Sequence, residues 1–289
     1  MQPARLQLPA LPPGLVPAHA QAKWNLHFSG GHPMATHPAE SPLRRPLWRL
    51  LMAAALLPAS IPARSAPAAE RVATEFAQCK HFFPAGLPPM VPRAPLQREL
   101  CFSDFAILHS GDTKTPVFVA EHLNRSILRE ARSIPRSDHF YAEARLPGEE
   151  RAEIDDYRNS GYSRGHMVPA GDMGTLHGKA QTFSLANMAP QDVELNNGAW
   201  NDIEQATRRY VQRAQGSVYV FTGPVFSAPA QTIGASGVQV PQFFYKLVYD
   251  ASNGKSWAHW QANEPTRRVS EPSSYEELVR RTGIEFVPR

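Results

Sequence analysis

Several stretches of the chain have the pattern of β-strands. Phe105, Ile107 and His109 alternate with a period of two, residues 116–121 are β-branched and aromatic, and residues 219–223 form a short apolar run typical of a buried strand. Two of these stretches are joined by Asn253-Gly254, a pair that favours a tight hairpin turn between antiparallel strands. Further strands are predicted to end at His166 and to return over residues 183–188. The other segments with strand character are 105–109, 116–121, 219–223, 243–250, 255–261 and 284–287.

Helical periodicity is clearest over residues 197–214, where the apolar side chains form one stripe. The residues of this stripe are Trp200, Ile203, Tyr210, Val211 and Ala214. A last helix is predicted to begin after Ser273 or Ser274 and to end at Thr282-Gly283, and a short helical segment is predicted near residue 69. The pattern as a whole predicts an α+β fold with a central, mainly antiparallel sheet flanked by helices.

The first 68 residues differ from the rest of the chain and divide into two segments. Residues 1–40 are rich in Pro, Ala and His without apolar periodicity, which indicates a disordered or over-extended N-terminus. Residues 41–68 place arginines before the short apolar run 50–57, a pattern typical of a secretory signal peptide. Arg44-Arg45 also permits a twin-arginine signal. We therefore expect a periplasmic or secreted protein with one domain over 69–289.

The overall charge of +4 and the isoelectric point of about 9.2 do not indicate a uniformly basic domain. Residues 1–66 contain six of the 30 basic residues and one of the 26 acidic ones, which leaves 24 basic and 25 acidic residues for the remainder. A nucleic-acid surface in that remainder would therefore have to be a local patch. With 42% hydrophobic residues, the chain can form a core without the help of a metal.

Cys79 and Cys101 are the two cysteines of the chain. In an exported protein two cysteines more often pair than not, whereas in a cytosolic protein they would be buried thiols. The expected location thus predicts a disulfide between Cys79 and Cys101. The proline-rich segment 84–95 lies between them.

Candidate chemistry is concentrated in the segment Tyr-Ser-Arg-Gly-His-Met-Val-Pro at residues 162–169. A neutral imidazole at His166 could deprotonate a water, and Arg164 beside it could neutralise a phosphate. Gly165 would remove a side chain where the backbone comes close to substrate. Asn196 could bind a hard divalent cation through its carbonyl oxygen. Simpler interpretations stay open from the residues alone, since a single histidine is often structural and an asparagine before a helix is often only its N-cap.

The segment Ser163–His166 resembles the signature of the DNA/RNA non-specific endonucleases, the ββα-metal nucleases, whose usual form is Asp-Arg-Gly-His. Further similarities lie in register downstream at Ser184–Gln191, at Leu195–Trp200, and at Glu204 and Arg208. The resemblance extends from about residue 101 to about residue 288. Ser163 departs from it by replacing the usual aspartate, which removes a negative charge.

This resemblance implies a ββα-metal motif and metal-dependent cleavage of DNA and RNA to 5′-phosphorylated products. His166 would be the general base and Asn196 the ligand of Mg²⁺, with Mn²⁺ or another divalent cation as alternatives. Glu204 would hold a water of the metal. Arg164, Arg208 and Arg136 would contact phosphate or the transition state. The neighbouring Arg125, Arg129 and Arg132 fit a solvated basic loop equally well. We expect His177 to be a loop residue without a metal role, and we assign no role to Lys246.

Two other functions remain as alternatives. A nucleic-acid-binding protein that kept the fold and lost cleavage is suggested by Ser163, and a narrower phosphodiesterase would act on nucleotides. The expected partners are DNA and RNA, without a membrane once the leader is removed. A homodimer stays open, and the sequence does not indicate an inhibitor protein.

Overall fold

A six-stranded antiparallel sheet lies at the centre of the computed structural model, which describes residues 70–288. The order of its strands is β12-β11-β8-β5-β4-β3. The predicted leader segments 1–40 and 41–68 lie outside the described residues. The strands are β1 Arg71–Ala73, β2 Met90–Pro92, β3 Gln97–Cys101, β4 Phe105–Ser110, β5 Thr115–Leu123, β6 Ser163–His166, β7 Met188–Gln191, β8 Val218–Val225, β9 Thr232–Ile233, β10 Val238–Gln239, β11 Phe243–Asp250 and β12 Lys255–Ala262.

The alternation of side chains gives the sheet two buried faces. On the back face, aromatic residues such as Phe118, Phe221 and Tyr245 form one hydrophobic core. On the front face, Val119 and Phe244 pack against the helical segment that follows β7. Burial on both faces explains why the central strands are nearly continuous apolar runs.

The helices lie on both faces of this sheet, which makes the fold α+β as predicted. Asn124 caps α1 by accepting a hydrogen bond from the Ile127 amide at 3.0 Å. Ser274 caps α5 in the same way, and Gly283 ends it in the left-handed conformation at φ 72°. The helices are α1 Arg125–Ala131, α2 Leu176–Gln181, α3 Val193–Leu195, α4 Asn201–Val211 and α5 Tyr275–Thr282.

A separate ββα unit is built from β6, β7 and α3 to α4. β6 and β7 pair in antiparallel register, with His166 opposite Met188. A π-helical turn at Asn196–Trp200 joins α3 to α4. This arrangement confirms the strand, return strand and helix that the sequence predicts, although the return strand is Met188–Gln191 rather than 183–188.

Three other predicted elements differ in the structure. The short helix predicted near residue 69 is wrong, because Arg71–Ala73 pairs with Met90–Pro92 as a two-stranded sheet. The final strand predicted over 284–287 is reduced to a single bridge between Glu285 and Met90. His177 lies in α2 rather than in a loop. Within residues 70–288, every helix is too short or too polar to cross a membrane.

Cys79 and Cys101 form a disulfide, as predicted, with their Cα atoms 5.8 Å apart. The bridge joins the segment before β2 to the edge strand β3. Cys79 is buried beside Phe82 and Phe83 in the back-face core. The disulfide therefore fixes the N-terminal part of the domain to the back of the sheet.

Candidate active site

A cleft of about 390 Å³ lies where the end of β6 meets the helical segment after β7. The fold brings five of the predicted site residues together in this one cleft. The residues that line it are Arg136, His166, Pro169, Ala170, Gly171, Asn196, Asn197, Asn201, Glu204 and Arg208. Residues that are up to 72 positions apart in the chain therefore surround a common space.

His166 lies at the end of β6 with its imidazole between two aromatic rings. The ring centroid of Phe140 is 5.8 Å from that of His166, and the centroid of Phe183 is 5.0 Å away. The residue keeps some exposed surface, yet its Nε2 atom is buried and has no hydrogen-bond partner among the described residues. Burial and the charge of Arg136 lower the pKa of His166 to about 3, against an opposing effect of Asp138. The imidazole is therefore neutral near pH 7 and able to accept a proton.

The backbone beyond His166 is held in place by Asn187. The Oδ1 atom of Asn187 accepts a hydrogen bond from the Val168 amide at 2.9 Å, and its Nδ2 donates to the carbonyls of Val168 and Thr182. A buried amide side chain that forms all three of these hydrogen bonds holds the backbone at Val168 in one position relative to Thr182. Asn187 thus keeps His166 at the mouth of the cleft.

Asn196 begins the π-helical turn and does not cap a helix. The N-cap is Asp192, whose Oδ1 accepts hydrogen bonds from the amides of Glu194 and Leu195 at 2.9 Å each. The expectation that Asn196 opens the helix is therefore wrong, because α3 begins three residues earlier at Val193. Asn196 is half-buried, and its side-chain amide forms no hydrogen bond with any of residues 70–288. Its oxygen is free to bind a ligand in the cleft.

The donor set of the cleft suits a hard cation that keeps most of its water. No group of three or more His, Cys, Asp or Glu side chains that could hold a metal occurs within residues 70–288. An amide oxygen from Asn196, with the Glu204 carboxylate beside it, would leave most ligand positions to water, as Mg²⁺ prefers. The residues present therefore fit such an ion and do not fit a zinc site.

Glu204 and Arg208 lie one turn apart on α4 and both face the cleft. The Arg208 Nη1 atom is 4.0 Å from the nearer Glu204 oxygen and 2.8 Å from Asp172 Oδ1. Asp172 is thus the closer partner, which keeps the guanidinium at the wall of the cleft. Burial raises the pKa of Glu204 to about 7, while Lys246 lowers it and Asp172 raises it further.

A row of buried polar residues crosses the sheet beneath α4. Thr222 pairs with Lys246, and Lys246 pairs with His259. The Lys246 ammonium donates a hydrogen bond to Thr222 Oγ1 at 2.7 Å and lies 5.5 Å from the centre of the Trp200 ring. Glu121 lies on the same face of β5, fully buried, with neither carboxylate oxygen hydrogen-bonded within the described part of the chain. Burial and the charge of Asp172 raise the pKa of Glu121 well above its usual range.

Arg136 and Arg164 occupy different positions relative to the cleft. Arg136 borders it, forms an ion pair with Asp138 at 2.6 Å and lies 5.3 Å from the Phe183 ring centre. Arg164 does not border the cleft. Its guanidinium lies 4.9 Å from the ring centre of Phe140 and donates a hydrogen bond to the Ile154 carbonyl at 3.3 Å. A phosphate contact of Arg164 therefore stays a prediction.

Gly165 is required by packing within the ββα unit. A Cβ atom at this position would lie 2.6 Å from the Cβ atom of Gln191, which is far closer than side-chain atoms approach one another. The sequence interpretation, in which glycine lets substrate approach the backbone, does not describe the structure. The side chain of Gln191 occupies that space instead.

Sequence reasoning missed Asp172, Glu121 and Lys246. The charged residues in β5 and β11 did carry a signal, because Glu121 and Lys246 each interrupt an apolar strand that is otherwise buried. A charge in such a strand indicates a buried partner. Asp172 lies in a turn without periodicity, so nothing in the sequence distinguishes it from a surface acid.

Comparison with known proteins identifies this arrangement. The sequence profile of the family described as DNA/RNA non-specific endonuclease matches residues 89–289. This is more than half of the chain, and it includes every residue that lines the cleft.

Similar proteins come from several organisms. The chain is 32% identical over 160 residues to the Homo sapiens protein named Nuclease EXOG, mitochondrial, covering 51% of this chain and 43% of that protein. It is 31% identical over 172 residues to Endonuclease G, mitochondrial, of Caenorhabditis elegans, covering 53% and 54%. It is 28% identical over 187 residues to Nuclease 1, mitochondrial, of Schizosaccharomyces pombe, covering 60% and 56%. The matched region thus spans about half the length of these relatives.

A solved structure has the same fold. A chain of the structure titled "Crystal structure of the EndoG/EndoGI complex: Mechanism of EndoG inhibition" superimposes with a TM-score of 0.61 at 29% sequence identity. The similarity covers 65% of this chain and 84% of that chain. The central sheet and the ββα unit therefore belong to a known architecture.

The predicted periplasmic or secreted location is wrong by these comparisons. The relatives from human, worm and fission yeast are named as mitochondrial nucleases. Export was inferred from arginines before a short apolar run, and arginine-rich, acid-poor leaders are also typical of mitochondrial transit segments. A run of eight apolar residues does not separate these two kinds of leader.

Proposed function

This chain belongs to the DNA/RNA non-specific endonuclease family, and we propose that it hydrolyses phosphodiester bonds of DNA and RNA without sequence preference. One observation supports the proposal most strongly. The buried Nε2 atom of His166 and the side-chain amide of Asn196, neither bonded to another described residue, lie in the same cleft as Arg208. A base, a ligand for a cation and an arginine are what hydrolysis of a phosphodiester requires.

His166 takes the role of general base in this proposal. Its Nε2 accepts a proton from a water positioned beside the phosphorus atom, and that water forms the new P–O bond. Hydrolysis breaks the bond between phosphorus and the 3′ oxygen, which leaves with the electron pair and takes up a proton from solvent, to which His166 later releases its own. The 5′-phosphorylated product is part of the proposal because the family resemblance implies it.

Asn196 and Glu204 would hold the divalent cation. Bound there, the cation would compensate the charge that develops on the leaving oxygen. Asn196 would contribute its amide oxygen, and Glu204, once ionised, would accept hydrogen bonds from the water of hydration. Arg208, which Asp172 holds at the wall of the cleft, would stabilise the phosphate in the transition state.

The test is incubation of the purified protein with plasmid DNA and with RNA, in Mg²⁺ and in EDTA. We expect both substrates to be cut in Mg²⁺ and neither in EDTA, with 5′-phosphate ends on the products. Because Ser163 replaces the usual aspartate, the alternative is a protein that binds nucleic acid without cleaving it. Retention of nucleic acid without cleavage in any divalent cation would favour that alternative.

Asn196 variants test the cation site. Asn196→Ala should lose activity and require far more Mg²⁺, whereas Asn196→Asp keeps a side-chain oxygen and should still respond to Mg²⁺. A Mg²⁺ titration of Asn196→Ala that overlays the titration of the parent would remove Asn196 from the site.

A further inference from the structure

Four arginines border a second hollow, which adjoins the cleft and has a volume of about 610 Å³. Three of them lie on α1 or just after it, at spacings of four and three residues that place them on one face of the helix. The fourth follows the end of α4. We call this surface the arginine hollow, and the residues that line it are Arg125, Arg129, Arg132, Gln212 and Arg213.

The four guanidinium groups are not paired with acids. Within residues 70–288, none of the four is within 4.0 Å of a carboxylate, whereas Arg98, Arg145 and Arg151 each form such an ion pair. Glu130, the acid of α1, accepts a hydrogen bond from Ser126 and does not line the hollow. The four arginines are all exposed to solvent.

Folding does not explain this arrangement. Arg125 and Arg129 are four residues apart on α1, where like charges repel one another. Arg125 also occupies the first turn, where the helix dipole disfavours a positive charge. Arg132, at the end of the helix, does complement the dipole, but Arg125 opposes it. Arg129 also lies in the last turn, so the dipole accounts for Arg129 and Arg132 but not for Arg125 or for the mutual repulsion of Arg125 and Arg129. That repulsion, without a neighbouring acid, points to a ligand.

The elements that carry the hollow also pack against the candidate active site. α1 packs against the turn Ala170–Asp172, which forms one wall of the cleft, and against α4. Arg208 lines the cleft and Gln212 lines the hollow one helical turn later, about 6 Å along the axis. Leu128 of α1 packs with Val220 on the front face of the sheet, so both features lie on the same side.

Local charge identifies the ligand class. The domain after residue 66 carries slightly more acidic than basic residues, so four unpaired arginines form a distinctly positive region on it. Nucleic-acid strands present one phosphate about every 3.4 Å along a duplex, and arginine binds phosphate with two parallel hydrogen bonds. We propose that the arginine hollow binds the phosphodiester backbone of the substrate, next to the bond that is cut. This inference rests on the proposed nuclease function and extends its substrate site.

The first test measures binding without cleavage. Affinities of the parent and of the Arg129→Gln/Arg132→Gln variant for a 30-nucleotide strand are measured in EDTA by fluorescence anisotropy at several salt concentrations. Each lost phosphate contact should reduce the slope of log K against log salt by about 0.7 to 0.9. We expect the double variant to lose about 1.5 from this slope.

The second test measures cleavage of substrates of different length. On the 30-nucleotide strand the double variant should have a KM several-fold above that of the parent with an unchanged kcat. On a dinucleotide, whose one phosphodiester occupies the cleft and leaves none for the hollow, its kinetics should match those of the parent. The matched control is Arg280→Gln/Arg281→Gln, two arginines of α5 that pair with Glu277 beside the back-face core.

Three outcomes would be informative, and they distinguish failure of the hollow's proposed role from failure of the nuclease function. Equal salt slopes and equal KM on the long strand would overturn the role of the hollow while leaving the nuclease function intact. A parent that cuts neither substrate would overturn the nuclease function, and the binding test would still report on the arginines. Loss of binding to anionic lipid vesicles alone, with DNA binding unchanged, would assign the hollow to a membrane surface and overturn the proposal.

Discussion

At the scale of single residues, the surroundings of His166 keep its imidazole unprotonated at neutral pH. Its ring is neutral over the whole working range because burial holds its pKa near 3. We predict that His166→Ala lowers kcat by about 10²- to 10⁴-fold without a change in folding, since the variant lacks the base. Single-turnover cleavage and circular dichroism measure the two effects.

The matched control for this prediction is His177→Ala. His177 is exposed on α2 and does not line the cleft, so its removal should leave the rate unchanged. A folded His166→Ala protein that cuts at the parental rate would show that another group activates the water.

The acid limb of the pH profile should report Glu204 rather than His166. Glu204 must be ionised to accept hydrogen bonds from water, and its pKa is raised to about 7 by burial and held down by Lys246. Lys246→Met removes that ammonium, so the folded-state pKa of Glu204 rises and the acid limb moves to higher pH. We predict this shift in log kcat against pH at saturating Mg²⁺. If the acid limb lay at the same pH in parent and variant, Lys246 would have no influence on the ionisation of Glu204.

Lys246→Met should also make the free energy of unfolding depend more strongly on pH. A carboxyl whose pKa is raised in the folded state loses stability as pH rises from its unfolded value, near 4.3, through its folded value. In Lys246→Met this loss of stability continues to higher pH, because the pKa values of Glu204 and Glu121 rise. Removal of one partner from a buried charge cluster lowers the free energy of unfolding by about 3–5 kcal/mol. The difference in melting temperature between variant and parent should thus be smallest near pH 5 and grow towards pH 8. Lys255→Met, at an exposed position of β12, is the control and should show no such trend.

The sequence predicted the residues of the cleft better than the residues that support them. Asn196, Glu204 and Arg208 come together because their spacing along one helical segment is fixed by local geometry. Asp172, which holds Arg208, reaches it across 36 positions through a turn whose path depends on tertiary packing. Arg164 shows the same limit: His166 lines the cleft, whereas the Arg164 guanidinium lies over Phe140 and donates to the Ile154 carbonyl outside it.

At the scale of elements, the pairing of β6 with β7 positions His166. Gly165 lies opposite Ala189 in this pair, and the Gln191 side chain occupies the space where a Cβ would be. We predict that Gly165→Ala destabilises the fold by about 1–3 kcal/mol through overpacking and displaces His166, so that kcat also falls. Thermal denaturation and steady-state cleavage measure the two effects.

Gly148→Ala is the control for this element. Gly148 has open space where a Cβ would be added, so the substitution should be nearly neutral in both measurements. If Gly165→Ala were equally neutral, the β6–β7 pair would be more adaptable than its packing indicates.

In the helix of the ββα unit, apolar periodicity predicts the regular part but not the irregular turn that precedes it. The apolar stripe predicts a regular helix from residue 197, and α4 follows that stripe from Asn201 to Val211. In the turn before it, Asn196–Trp200, Gly198 lies outside the helical region at φ −110° and ψ −107°, so the helix is kinked there. A pattern of side chains does not reveal this change in backbone conformation, although π-helical turns are frequent at functional sites.

At the scale of the whole domain, the chemistry and the disulfide lie on opposite faces of the sheet. His166 and α4 belong to the front, whereas Cys79 lies in the back-face core with Phe83 and Phe118. The sequence predicted the central sheet with helices against it, but not which face would carry the cleft and which the disulfide. The separation also means that stability and activity can be changed independently.

The disulfide provides the test of this independence. The Cys79–Cys101 bridge closes a loop of 22 residues, for which the loss of chain entropy in the unfolded state is worth about 3 kcal/mol. We predict that Cys79→Ala and Cys101→Ser each lower the melting temperature by roughly 6–12 °C, as expected for a domain of this size. The Mg²⁺ requirement and kcat should match those of the parent, because neither cysteine reaches the cleft.

Intact mass before and after reduction establishes whether the bridge is present in the purified parent. Reduction of the parent should lower its melting temperature as much as either substitution, and it should not affect the variants. If the reduced parent melted at the temperature of the oxidised one, the bridge would contribute nothing to stability. If kcat fell together with the melting temperature, the back-face core would control the cleft through the sheet, and the two faces would not be independent.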